Sequence, residues 1–306
     1  MREEYRKCGD CSYEASDGVQ LYFDAYEVPG NLEETSTSRD LVFLHGWSGS
    51  SRYYSPAVCA FLEDGELLRR SGVGRVYVLD IRGHGRSLYK ERCTVARLAQ
   101  DLKDFITKVT SDRRARLCCL GSSMGAAILW SYCEQFQNEG IASAVFIDQA
   151  PLQYERDDWR DGSKGLRTPE DLAGLRKALK EDMAGFAAGN ADCCLVDPQK
   201  MEKELIETIT KETLKCDPNF LGELMADHTA LDWRGVLKEK YSIPVLNLAG
   251  GKSGVFPVQG VAAINELLGS RCPHKLEVFE DCSHWLYIER PKKFMRVVID
   301  WLAGQQ

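Results

Sequence analysis

Short apolar runs recur along the chain, and stretches with apolar residues three or four positions apart fall between them. LVFL at 41–44, VYVL at 76–79, LCCL at 117–120 and AVFI at 144–147 are unbroken, while VLNL at 245–248 and LEVF at 276–279 carry one polar residue each. A strand that is apolar at every position is covered on both faces, so these runs predict a mostly parallel sheet between layers of helices. Residues 19–28 alternate instead, with Leu21, Phe23 and Ala25 on one side, and predict a half-buried antiparallel strand. Val95, Leu98, Leu102, Phe105, Ile106 and Val109 form one helical stripe; Phe294, Val297, Val298, Trp301 and Leu302 form another. Pro257 suits the first turn of a third helix bearing Val261, Ile264, Leu267 and Leu268. The order is a β start followed by repeated βα units, an α/β fold.

The rhythm breaks between residues 152 and 241. There Leu172, Leu175 and Leu179, and then Leu205, Ile209 and Thr213, repeat at helical spacing with no buried strand among them. This predicts a helical cap, residues 152–241, inserted between strands 6 and 7 of a core made of residues 1–151 and 242–306. Such a cap overhangs the C-terminal edge of the strands, where open α/β sheets bind ligands.

Composition narrows the partners. The 306 residues include 39 Lys and Arg against 46 Asp and Glu, and a formal charge of −7 lacks the basic surplus that nucleic acid or an anionic lipid surface requires. No apolar run reaches the roughly 18 residues of a membrane span. The opening residues, MREEYRKCGDCSYEASDG, lack the apolar stretch of a signal peptide, so the twelve cysteines are expected to be reduced thiols of a cytoplasmic protein. Cys8-x-x-Cys11 has no second pair at zinc-ribbon spacing, and neither a metal nor a cofactor is expected. Gly251-Lys252-Ser253 looks like the end of a phosphate-binding loop, but Leu246 stands where the first glycine of that loop belongs.

The chemistry concentrates at three places. Gly121-Ser122-Ser123-Met124-Gly125 follows the run at 117–120 and opens a helical stretch at 126–136, the strand–turn–helix setting of a nucleophile elbow. The glycines allow a sharp reversal, and Ser123 sits at a helix N-terminus that favours developing negative charge. His45-Gly46-Trp47 follows the run at 41–44, so the backbone amides of Trp47 and Met124 are the expected oxyanion hole. His284 follows the run at 276–279. Of the five histidines (His45, His84, His228, His274 and His284) it alone lies after the last strand, where the order serine, acid, histidine puts the general base. Trp159 and Phe186 of the cap, with Trp285 beside the base, are expected to face a partly apolar acyl or alcohol group.

FLHGW at 43–47, DIRGHGRS at 80–87, GSSMG at 121–125 and SHW at 283–285 stand in one order that resembles the α/β-hydrolase fold family across almost the whole chain. IDQAP at 147–151 and DWR at 232–234 resemble its cap-bearing serine esterases and cofactor-free haloperoxidases. The resemblance implies a hydrolase of a small-molecule ester or related acyl bond, with Ser123 as nucleophile and His284 as base. It also permits a perhydrolase, or a ligand-binding protein on a hydrolase scaffold. It implies an Asp in the GGKSGVFP stretch at 250–257, where this chain has Ser253. The usable carboxylate is then Asp148, at the end of the strand after the elbow. Asp281, or a Ser–His pair without an acid, are the other readings.

Overall fold

The computed structural model describes residues 6–28, 38–111 and 116–305. Its sheet has eight strands: β1 (Arg6–Glu14), β2 (Gln20–Glu27), β3 (Arg39–Leu44), β4 (Val73–Leu79), β5 (Arg116–Ser122), β6 (Ile141–Ile147), β7 (Val245–Gly250) and β8 (His274–Phe279). They lie in the order β1-β2-β4-β3-β5-β6-β7-β8. β1 and β2 are antiparallel, β2 meets β4 antiparallel, and every later pairing is parallel. The helices are α1 (Ser55–Glu63), α2 (Gly65–Ser71), α3 (Val95–Val109), α4 (Met124–Phe136), α5 (Pro169–Glu181), α6 (Met183–Cys194), α7 (Lys203–Thr213), α8 (Pro218–Ala230), α9 (Arg234–Glu239), α10 (Val258–Leu268), α11 (Leu286–Glu289) and α12 (Pro291–Ala303).

The unbroken runs are explained by two cores. Side chains alternate across a strand. Val42, Leu44, Tyr77, Leu79, Cys119, Ala144 and Phe146 face one core, shared with α3, α4 and α10. Their neighbours Leu41, Phe43, Val76, Val78, Cys118, Leu120, Val145 and Ile147 face the other, shared with α1, α2, α11 and α12. The apolar stripe of α3 lies against the first core, and Thr94 caps its N-terminus by accepting from the Arg97 amide at 3.2 Å.

Two expectations need correction. β1 was not expected: it is a polar edge strand whose register slips between Cys8 and Cys11, so it shows no two-residue period. The expectation of twelve reduced thiols fails at Cys11, which is disulfide-bonded; the ten cysteines from Cys59 onward are free. The Cys8 side chain, and residues 1–5 of the polar opening, lie outside the described residues.

Between β6 and β7 the chain forms α5 to α9 and no strand among the described residues. An antiparallel bridge between Leu152 and Asp232, with the Trp233 amide donating to Pro151 O at 3.0 Å, ties the two ends of this segment together. No helix of the described residues is long and apolar enough to cross a membrane.

Candidate active site

β5 ends at Ser122 and α4 begins at Met124, leaving Ser123 as the single residue of the turn, at φ 53° and ψ −121°. That left-sided φ is unfavourable for a residue with a Cβ and costs on the order of 1–3 kcal/mol. Ser123 N–H donates to Ile147 O at 2.8 Å, which anchors the elbow to β6. The flanking glycines are required by close approach: a Cβ on Gly121 would lie 2.3 Å from Gly125 O and one on Gly125 2.5 Å from Leu44 O, while one on Gly46, in the loop after β3, would make a tight 3.1 Å contact with Ser123 Cβ. The loop after β3 therefore presses directly on the elbow. Among the described residues the N–H groups of Trp47 and Met124 have no protein acceptor. For Met124 this follows from its place at the first position of α4, whose leading amides have no intrahelical partner.

His284 follows β8. Its loop is pinned by buried Glu289, which accepts from Ser283 N–H at 2.6 Å and from Val196 N–H at 2.8 Å. Burial pushes the Glu289 pKa up, against those two amide donors. The His284 Nδ1 lies 2.6 Å from Asp148 Oδ2. Asp148 is wholly buried at the end of β6, at φ 48°. Ser253 Oγ–H donates to the same Oδ2 at 2.6 Å, and Gly250 N–H donates to Oδ1 at 2.8 Å. Both oxygens of Asp148 are thus held by donors, and the carboxylate cannot turn away from the imidazole without breaking two other bonds. Asp281 lies elsewhere: it is half exposed and paired with Arg290 at 2.6 Å. The Ser123 hydroxyl donates to Gln149 Oε1 at 3.4 Å, a long hydrogen bond.

Ser123 and His284 line one cavity of about 440 Å³ with Trp47, Phe186, Met225 and Trp285. Its roof is a small apolar cluster in which Leu179, Cys216 and Leu221 gather Trp47, Leu175, Met183 and Phe186. Phe186 and Trp285 line this cavity, whereas Trp159 does not: it lines a separate open groove with Arg234 and Arg271. Its indole N–H donates to Leu152 O at 2.9 Å, and the Arg234 guanidinium sits 5.7 Å from its ring, which hold it on the outer surface. Gln149, Glu289 and His228 were not singled out from the sequence. Gln149 alone carried a signal, as the neighbour of Asp148.

The loops around the elbow are held by buried polar groups. His45 Nε2 accepts from Ile81 N–H at 3.1 Å, and His84 Nε2 accepts from Ser48 N–H at 3.1 Å. Asp80 accepts from Ser51 N–H at 2.7 Å and from Arg86 Nε at 2.6 Å. Burial works against its charge, yet Arg86 and the Ser51 amide hold its pKa below the usual carboxylate range. Burial pushes His45 below the ordinary imidazole value, and takes both His84 and His228 down to about 3.

These histidines predict acid lability. Between the ordinary value of about 6.5 and the folded value the unfolded chain binds a proton that the folded chain refuses, so stability falls as pH falls. His84 and His228 each remove about 1.4 kcal/mol per pH unit once pH is below about 6.5, or about 4 kcal/mol together between pH 7 and pH 5. Urea unfolding across that range is expected to show the loss, and His228→Phe to remove about half of what His84 and His228 contribute together. A slope unchanged in that variant would contradict the assignment of His228 as neutral.

The profile of the alpha/beta hydrolase family matches residues 41–297. A probable alcohol acetyltransferase of Wickerhamomyces anomalus is 33% identical over 284 residues, covering 87% of this chain and 79% of that protein. An esterase from Exiguobacterium antarcticum superposes with a TM-score of 0.81 at 19% identity, covering 96% of this chain and 99% of its own. A bromoperoxidase from Bacillus anthracis superposes with a TM-score of 0.79 at 18% identity, with the same coverage of both chains.

Proposed function

Because this chain belongs to the alpha/beta hydrolase family, we propose that it is a serine hydrolase that cleaves carboxylic esters of small molecules through an acyl-enzyme on Ser123. The observation that supports this best is the 2.6 Å contact of His284 Nδ1 with buried Asp148, in a cavity that also holds the strained Ser123. In this reading Ser123 Oγ attacks the ester carbonyl carbon while His284 Nε2 takes its proton. Asp148 accepts the Nδ1–H, fixing the tautomer and stabilising the imidazolium. The Trp47 and Met124 amides receive the oxyanion. His284 then protonates the departing alkoxide, and the acyl group stays on Ser123. Residues 152–241 act as the cap that walls the cavity, on a core of 1–151 and 242–306.

A second reading concerns the acceptor. The likeness to a probable alcohol acetyltransferase favours deacylation by an alcohol as well as by water. His284 would deprotonate either one, and its attack would return Ser123 with release of an acid or a new ester. The two are separated by incubating the protein with p-nitrophenyl acetate in water and in dilute ethanol. The proposal expects a burst of nitrophenol stoichiometric with protein, an acetyl group on Ser123 after acid quench, and ethyl acetate only if the acceptor reading holds. Steady turnover with no acyl group on Ser123 would overturn the common mechanism.

A further inference from the structure

His228 lies in the last full turn of α8, one turn after Met225, and both side chains line the cavity that contains Ser123. It is 2% exposed, and its Nδ1 is enclosed with no hydrogen-bond partner. An unpaired buried polar atom costs about 1–3 kcal/mol; Trp130 Nε1, Asn138 Oδ1, Trp233 Nε1 and Asn247 Oδ1 also lack a partner, but of these residues only His228 lines the cavity. The other buried histidines around the site contrast with it: His45 and His84 each have both ring nitrogens engaged by backbone. His228 is the histidine of the cavity that the proposed chemistry does not use.

The rest of the lining limits what can meet it. Among the described residues no Lys or Arg lines the cavity, and the one carboxylate that does, Asp171, is turned to the backbone amides of Arg167 and Thr168 at 2.9 Å. A substrate carboxylate or phosphate buried here would have no cation to pair with, which is strongly unfavourable. Burial also keeps the His228 ring in its neutral form, with one N–H to donate and one lone pair to accept.

We propose that His228 is a specificity-determining residue, which selects neutral esters carrying one further oxygen, a ketone or hydroxyl, to pair with its imidazole inside the apolar cavity. The inference rests on the ester-hydrolase reading only for the location of the reacting carbonyl. The pairing itself is a binding property.

The test therefore uses binding to the Ser123→Ala protein, which does not consume the ligand. Calorimetry would compare p-nitrophenyl pentanoate with oxo- and hydroxyacyl analogues in which the oxygen is walked along the chain, and with hemisuccinate as the anionic analogue. A parallel set would carry the oxygen on the alcohol arm of an alkyl pentanoate. At least one oxygenated ester is expected to bind about tenfold more tightly than its parent, the size of one good hydrogen bond. The hemisuccinate is expected to bind at least tenfold more weakly than that ester. Adding His228→Phe is expected to bring the oxygenated-to-parent ratio close to one. No preferred oxygen position, a preference that survives His228→Phe, or a hemisuccinate bound as tightly as the best neutral ester would each overturn the proposal. The ratio and the anion comparison are both read without the His228 variant, so a misfolded variant does not rescue it. If these ligands bind as expected while the unmodified protein turns over none of them, the hydrolase reading fails and the selectivity stands.

Discussion

Asp148→Asn is expected to lower kcat by about 10⁴ while leaving the fold intact, the size of effect seen when a triad loses its acid. The geometry gives the reason. Asp148 accepts at Oδ1 from Gly250 N–H and at Oδ2 from both Ser253 Oγ–H and His284 Nδ1. An asparagine that keeps its oxygen toward Gly250 must turn its NH2 toward the imidazole, which then has to present a lone pair at Nδ1. The proton moves to Nε2, and the ring can no longer take one from Ser123. Ser253→Asp alone is not a gain, because its carboxylate would stand beside Asp148, where like charges disfavour each other. In the Asp148→Asn background the same change is expected to restore at least tenfold of the lost kcat. Steady-state kinetics of the four proteins check this. An Asp148→Asn protein within tenfold of the parent would show that the buried carboxylate only braces the loop.

Ser123→Ala is expected to remove about 10⁶ of kcat, leaving the residual rate that an oxyanion hole and binding supply by themselves. Ser123→Gly should be equally inactive but more stable, by about 1 kcal/mol or more, because glycine tolerates the φ of 53° that a Cβ resists. Kinetics and thermal unfolding of the two variants together separate the two roles of the position. If glycine gave no stability over alanine, the elbow would not be strained; if alanine kept substantial turnover, another nucleophile would be at work.

Much of the fold was legible because five strands, β3 to β7, are buried on both faces and so read as apolar runs, with α3 and α12 showing clear stripes; β8 carries the same kind of run although, at the sheet edge, it is only partly buried. β1 was not, since an edge strand with a register slip between Cys8 and Cys11 has neither an apolar run nor an alternating period. α6 was missed for a related reason: its sequence, MAGFAAGNADCC, is small and evenly mixed, so no face stands out. At the site, the elbow and the loop after β3 carry local motifs, and chain order puts Asp148 and His284 after β6 and β8, which flank β7 in the sheet, where the structure brings them into contact. Ser253 could be recognised as a departure, but its actual partner, the carboxylate of Asp148, depends on how β6 and β7 are registered. Trp159 was misjudged because helical and loop aromatics look alike in sequence whether they face inward or out. His228 and Glu289 had no signal at all: what distinguishes them is burial and the presence or absence of partners, which only the packed chain defines.

A Ser123 nucleophile activated by His284 and Asp148 should react covalently with an electrophilic phosphonate. The most direct measurement is reaction of the native protein with a fluorophosphonate, followed by peptide mass mapping of the adduct. One phosphonyl group per chain is expected, on Ser123, forming at a rate that drops by orders of magnitude in His284→Ala and Asp148→Asn. An unlabelled native protein, or an adduct mapped to another serine in a folded Ser123→Ala variant, would contradict it.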